Sequence, residues 1–248
     1  MPEAPPPQAP ADRLYVALDV DRLEDAEALL DRLAGAVGGC KIGSQLFTAT
    51  GPVAIERALK RGFRVFLDLK YHDIPNTVAG AVREATRLGV FMLNVHASGG
   101  LAMMRAAAES AAKAAKEFAL PRPILLGVTV LTSLDRHALE REVGVAGTVE
   151  AHVLRLAERA RAAGLDGCVA SAHEIGPLRL ALGPRWVIVT PGIRPAERTD
   201  DQARTATPEA AIRAGADYLV VGRPITAVPD PGAAARAILD EVRRAAAF

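Results

Sequence analysis

The segment Asp68-Leu69-Lys70-Tyr71-His72-Asp73 sets two carboxylates and an ammonium within six residues. It follows directly on Val65-Phe66-Leu67, an apolar run that reads as a buried β-strand. Strand side chains alternate between faces, so Asp68 and Lys70 are expected to point the same way at the end of that strand. Asp73 falls on the loop beyond, just before a Pro75-Asn76-Thr77 helix start. Two further charges, Asp19 and Lys41, stand on or just after other apolar runs. A set alternating in sign lowers the desolvation cost of holding each charge. A plain salt-bridge cluster closing one end of a barrel is the competing reading. Buried ion clusters are weak sources of stability, however, because desolvation tends to cancel the attraction. Function is the better reason to keep these five together.

A second group suits a phosphate dianion. Gly222-Arg223 follows the apolar run Tyr218–Val221, and Arg194 follows a Pro191-Gly192 turn. Backbone N–H groups, a helix start and guanidinium groups are good phosphate partners. That signal identifies a phosphorylated ligand and not a reaction, and surface arginines are its plain alternative. His72, His96, His137, His152 and His173 have no metal-ligand spacing. His96 alone falls at a strand end, where structural hydrogen bonding is favoured over ligand contact. Gly38-Gly39 and Gly99-Gly100 are too sparse for a dinucleotide or P-loop fingerprint. Met103-Met104 reads as packing.

These residues need a scaffold, and the apolar pattern describes one. Strands are expected at 14–18, 39–42, 65–67, 91–95, 124–130, 167–170, 186–189 and 218–221. Helices are expected at 23–37, 52–61, 77–88, 101–118, 148–163, 174–182, 208–214 and 232–246, with Gly35, Gly62, Gly89, Gly164 and Gly215 as C-terminal caps. Eight strands alternating with eight helices argue for an α/β fold with a parallel sheet closed as a (β/α)8 TIM barrel. Asp19, Lys41, Asp68, Lys70, Asn94, His96, Thr129, Thr132, Arg194 and Arg223 then gather at the C-terminal strand ends, where barrels build their sites. Residues 1–11, with five prolines, read as an unstructured leader, and residues 12–248 as one barrel domain.

With 30 basic against 29 acidic residues and a net charge of +1, no nucleic-acid surface is indicated. No apolar run approaches the roughly 18 residues of a membrane span, and the leader has no apolar core. Cys40 and Cys168 are isolated, which suits buried reduced thiols and a cytoplasmic location.

The D-x-K-x-x-D of Asp68, Lys70 and Asp73, followed by Ile74-Pro75-Asn76-Thr77-Val78, resembles the orotidine 5′-phosphate decarboxylase family in its bacterial form. Further similar segments are Val16-Ala17-Leu18-Asp19, Lys41-Ile42-Gly43, Asn94-Val95-His96-Ala97-Ser98-Gly99-Gly100, Val128-Thr129-Val130-Leu131-Thr132-Ser133, Thr190-Pro191-Gly192-Ile193-Arg194-Pro195 and Gly222-Arg223-Pro224-Ile225-Thr226. The resemblance implies conversion of orotidine 5′-phosphate to uridine monophosphate and carbon dioxide, the last step of de novo synthesis of that nucleotide, with no metal and no organic cofactor. It implies that Lys70 protonates C6 of the pyrimidine, that Asp68 lies near the departing carboxylate, and that Lys41 holds both. Asp19 is implied to bind a ribose hydroxyl, Thr132 the pyrimidine edge (Ser133 less so), and Arg194, Gln202, Gly222 and Arg223 the phosphate. Gln202 is implied to touch the pyrimidine as well, from a closing loop. It also implies a homodimer in which Asp73 and Thr77 complete the neighbour's site.

Three other barrels compete. A decarboxylase of 3-keto-hexulose 6-phosphates shares D-x-K-x-x-D but uses Mg²⁺ with an acidic residue on strand two. Here that position is Lys41, a cation that opposes Mg²⁺. A phosphosugar isomerase leaves Lys41 and Lys70 without a role. A catalytically silent nucleotide-binding barrel leaves Lys70 unexplained.

Overall fold

Eight apolar runs become eight parallel strands, in a computed structural model that describes Pro7, residues 9–195 and residues 206–246. They are β1 (Leu14–Ala17), β2 (Gly39–Gly43), β3 (Arg64–Tyr71), β4 (Met92–His96), β5 (Ile124–Val128), β6 (Gly167–Val169), β7 (Val187–Thr190) and β8 (Tyr218–Val221). Each strand pairs with the next in sequence, and β8 closes on β1 through Leu14↔Leu219, Tyr15↔Val220 and Val16↔Val221. The fold is the (β/α)8 barrel expected from the alternation of strands and helices.

The strands are apolar on both faces because both are covered. Tyr15, Phe66, Met92, Leu126, Val189 and Tyr218 fill the barrel interior, while Val16, Leu67, Leu93, Leu125 and Leu219 pack outward against the helices. Those helices are α1 (Leu23–Leu33), α2 (Ser44–Thr50), α3 (Val53–Lys60), α4 (Pro75–Arg87), α5 (Leu101–Glu117), α6 (Arg136–Arg141), α7 (Val149–Ala162), α8 (Ile175–Leu182), α9 (Pro208–Ala214), α10 (Arg223–Thr226) and α11 (Pro231–Ala246). α5 buries Met103, Met104, Ala107, Ala108 and Ala111 along one stripe, so the methionine pair is core. The five capping glycines all have positive φ, from 75° at Gly89 to 108° at Gly215.

Two short helices were not expected, and of a third only the start at Gly222-Arg223 was. α2, α6 and α10 have seven, six and four residues and bury only one or two side chains each, which leaves no repeating apolar stripe to read. β3 also runs four residues past its expected end at Leu67. Proline content places Pro10 and Ala11 in the leader, yet Pro10–Arg13 form a 3-10 turn on the barrel floor. Pro10 occupies the first position of that turn, where a missing N–H costs nothing. The Asp12 carboxylate accepts from Ala9 N–H at 3.0 Å and pairs with Arg64 at 3.3 Å. Among the described residues no helix is long and apolar enough to cross a membrane. Cys40 and Cys168 are buried free thiols, each pushed up to about 12 by burial.

Candidate active site

The charged segment sits where the barrel ladder breaks. β3 pairs with β4 through Leu67↔Leu93 and then Tyr71↔Val95, with a register shift between. Lys70 lies in that shift with φ of +51°, and only Ala119 shares a positive φ among the described non-glycine residues. A β-bulge concentrates such geometry, and the left-handed region costs a side-chain-bearing residue about 1–2 kcal/mol. Simple alternation was therefore the wrong reason to expect Asp68 and Lys70 on one side. They do converge, but through the bulge: Lys70 Nζ donates to Asp68 Oδ1 at 2.8 Å.

From there a chain of charges crosses the barrel mouth. Lys41 on β2 lies 3.5 Å from Asp68 Oδ2 and donates to Asp19 Oδ1 at 3.0 Å. The order Asp19, Lys41, Asp68, Lys70 alternates in sign, so each charge has an opposite neighbour. Exposure falls along it from 55% for the Asp19 side chain to 11% and 12% for Lys41 and Asp68, then rises to 35% for Lys70. The inner pair is shielded while the outer two meet solvent. Two residues given no role from sequence support this chain. Asn94, fully buried on β4, donates from Nδ2 to Asp68 Oδ1 at 2.7 Å and accepts the Lys70 N–H on Oδ1 at 2.8 Å. An Asn inside the apolar run Met92–His96 was the available signal, because strands disfavour it. At Gly43 an added Cβ would lie 2.9 Å from Lys41 Nζ, so a bare backbone lets that ammonium fold back toward Asp19.

Lys41, Asp68, Lys70 and Thr132 line one cavity of about 160 Å³, whose remaining wall is largely apolar, from Phe66, Val128, Val130 and Val220 among others. A few convergent polar groups in an apolar hollow are the usual form of a small-molecule site. Gly222 lies beside Asp19, where an added Cβ would stand 3.8 Å from Oδ2. Arg223 is exposed at the start of α10. That start offers fewer amides than a regular helix, since Pro224 has no N–H and the Ile225 and Thr226 amides donate to Gly222 C=O. Arg194 is buried beyond β7, its N–H donating to Ala206 C=O at 2.9 Å. Gln202 lies outside the described residues.

Asp73 and Thr77 do not join the cavity. Both are exposed, and the Asp73 carboxylate accepts from its neighbour Ile74 N–H at 2.6 Å. Beside Lys70 the His96 and His72 rings stand 5.4 Å apart. Burial first, then the positive charges of His72 and Lys70, hold His96 below the usual imidazole value. Among the described residues no group of three or more His, Cys, Asp or Glu side chains is arranged to hold a metal ion.

The chain is similar over nearly its whole length to proteins of one name. It is 57% identical over 232 residues to an orotidine 5′-phosphate decarboxylase of Moorella thermoacetica, covering 93% of this chain and 92% of that one. Identity to the enzyme of the same name from Idiomarina loihiensis is 50% over 231 residues, covering 93% and 97%. A crystal structure of orotidine 5′-phosphate decarboxylase from Lactobacillus acidophilus superposes with a TM-score of 0.81 at 36% identity, covering 92% and 98%. That from Pyrococcus horikoshii gives 0.73 at 27%, covering 93% and 99%. A family model spanning residues 12–238 takes in every strand of the barrel and every residue of the charge chain, and by it this protein belongs to the orotidine 5′-phosphate decarboxylase / HUMPS family.

Proposed function

We propose that the chain converts orotidine 5′-phosphate to uridine monophosphate and carbon dioxide, the last step in making that nucleotide, without metal or organic cofactor. The observation that carries this is Lys41 within the charge chain, paired to Asp19 and Asp68. The sister reaction on 3-keto-hexulose 6-phosphates needs Mg²⁺ and a carboxylate at that position, and an ammonium there repels the ion.

Loss of carbon dioxide leaves an electron pair in an in-plane orbital at C6, which the ring cannot delocalise. The barrier to be removed is on the order of 20 kcal/mol. Lys70 Nζ, fixed on Asp68 at 2.8 Å, stabilises that pair and then gives it a proton. The C6–carboxylate bond breaks, a C6–H bond forms, and Lys70 regains a proton from solvent. Asp68 faces the departing carboxylate, and Lys41 holds Asp68 and Lys70 in place. Asp19 takes a ribose hydroxyl, Thr132 the pyrimidine edge, and Arg194, Gln202, Gly222 and Arg223 the phosphate, with Gln202 also reaching the pyrimidine. Asp73 and Thr77 serve the neighbouring subunit of a homodimer. Their exposure, and the lack of any ion pair from Asp73 to Lys70 among the described residues, support that reading.

The test is loss of orotidine 5′-phosphate absorbance with EDTA-treated protein, beside Lys70→Ala. Turnover that survives EDTA and disappears in the variant is expected. Silence without metal, with activity on a 3-keto-hexulose 6-phosphate once Mg²⁺ is added, would move the protein to the sister reaction.

A further inference from the structure

Among the described strand pairs, β3–β4 alone changes register. Between Leu67↔Leu93 and Tyr71↔Val95, β3 supplies Asp68, Leu69 and Lys70 where β4 supplies only Asn94. A ladder interrupted in this way strands backbone donors. The Lys70 N–H is rescued by the Asn94 side chain at 2.8 Å. The other end of that amide meets Asp68 Oδ1 at 2.7 Å, the same oxygen that takes Lys70 Nζ at 2.8 Å. One buried side chain thus holds Lys70 at both ends, by its N–H directly and by its ammonium through Asp68.

We infer that Asn94 is a positioning residue of this site, which stitches the β3 bulge so that the Lys70 ammonium is fixed on Asp68 and aimed into the cavity. The inference rests on the decarboxylase reading above for what Lys70 does, and on geometry alone for where it is held. The position calls for a neutral group. It must accept on one side and donate on the other, and at 0% exposure no bulk water replaces it. An apolar residue would leave both Asp68 and the Lys70 N–H short of a partner. Without the bond to its N–H, Lys70 can relax to the ordinary extended conformation, and a shift of strand register turns a side chain to the other face. Asn94 need not touch substrate to control where the proton donor stands.

Asn94→Ala and Asn94→Asp test this. In Asn94→Ala kcat is expected to fall on the order of 100-fold, the usual result of misplacing a reacting group by an ångström. KM and uridine monophosphate affinity should move less than about threefold, because the bonding partners of Asn94 are Asp68 and Lys70 and not the groups assigned to the ribose, the pyrimidine edge or the phosphate. Asn94→Asp carries the sharper readout. A carboxyl at position 94 faces Asp68 and Lys70 from β3, Lys41 beyond Asp68, His96 further along β4 with His72 against it, and apolar Leu126 on β5. Ionised, it repels Asp68. Protonated, it copies the amide, giving O–H to Asp68 and taking the Lys70 N–H on C=O. Its activity should therefore rise at least about tenfold between roughly pH 8 and pH 6, relative to the unsubstituted protein, since a neighbouring carboxylate raises a carboxyl pKa. A profile parallel to the unsubstituted protein overturns the inference, even where Asn94→Ala does not fold. So does a kcat within about threefold in a folded Asn94→Ala. A crystal structure of Asn94→Ala with Lys70 still at positive φ and still on Asp68 overturns it whatever the substrate. An unsubstituted protein that leaves orotidine 5′-phosphate intact defeats the decarboxylase reading instead, and that crystal structure still decides the role of Asn94.

Discussion

The two ends of the barrel use their charges in opposite ways. At the N-terminal strand ends each carboxylate is tied to the main chain. Asp166 pairs with Arg122 and accepts Leu125 N–H at 2.8 Å, while Asp217 meets Arg179 at 2.5 Å and accepts Ile188 N–H at 2.8 Å. Arg179 also donates to Gly215 C=O at 2.8 Å and to the carbonyls of Gly183 and Trp186. At the C-terminal ends, among the described residues, Asp68 meets only side chains, those of Lys41, Lys70 and Asn94, and all but Asn94 face a cavity. Charges tied to backbone amides and carbonyls lock strands together, and removing one leaves orphaned groups. Charges tied to one another around a hollow leave their outer faces to a ligand. The strained Lys70 backbone belongs to the second set, where local distortion serves the site rather than the fold.

The largest expected effect is at Lys70, and it separates chemistry from strain. Lys70→Ala and Lys70→Gly should both lose measurable turnover. In urea, the glycine variant should be the more stable of the two by about 1 kcal/mol, because glycine reaches positive φ without penalty. That reverses the usual order within strands. An alanine variant of equal or greater stability would mean that the bulge relaxes once the ammonium is gone. Next comes subunit mixing. If the rim is completed from outside, inactive Lys70→Ala and Asp73→Ala proteins should recover about a quarter of full activity after random exchange, since half the dimers are mixed and each has one intact site. No recovery, with exchange demonstrated by labelled subunits, would place Asp73 in its own chain's site.

How far the two ends could be read from sequence differs for a physical reason. The strands and principal helices follow from local periodicity, and Tyr218–Val221 and Pro208–Ala214 appear as expected. Asp68, Lys70 and Lys41 stood out because ionisable residues at the ends of apolar runs are costly without a use. The bulge did not stand out, since it is a property of register between two strands and not of either alone. Asn94 was noticed as a polar strand end, but its two-way bond needs the bulge to exist. Residues 44–50 were passed over because a single turn or two of helix buries only Leu46, with no repeating stripe to read. On the floor, no local pattern ties Arg179 to Gly215, 36 residues away.

The floor should respond in the opposite sense to the mouth. Asp217→Ala leaves the Ile188 amide and the Arg179 guanidinium without their shared carboxylate, and should cost about 3 kcal/mol in stability. Its kcat at moderate temperature should stay within about twofold, because Asp217, Arg179 and Ile188 are not among the residues that line the cavity. A folded Asp217→Ala with kcat down tenfold would show that the two ends are coupled through β8, and the division drawn between them would fail.

The smallest effect lies at His96, on the border between the shielded network and solvent. Burial and the charges of His72 and Lys70 depress its pKa in the folded chain, so the fold favours neutral imidazole. The unfolded chain titrates near 6.5 and binds the proton more readily. The stabilisation is therefore fully present above about pH 6.5 and is lost as pH falls from there through the folded value. His96→Gln should unfold at a midpoint that declines less steeply on acidification, when both proteins are followed by urea titration at several pH values. His72→Gln should flatten the decline only in part, because it removes one charge and leaves the burial. Equal slopes in all three proteins would mean that the His96 ring is as well hydrated in the barrel mouth as in the open chain. The mouth would then admit water further along β4 than the shielding of Lys41 and Asp68 implies.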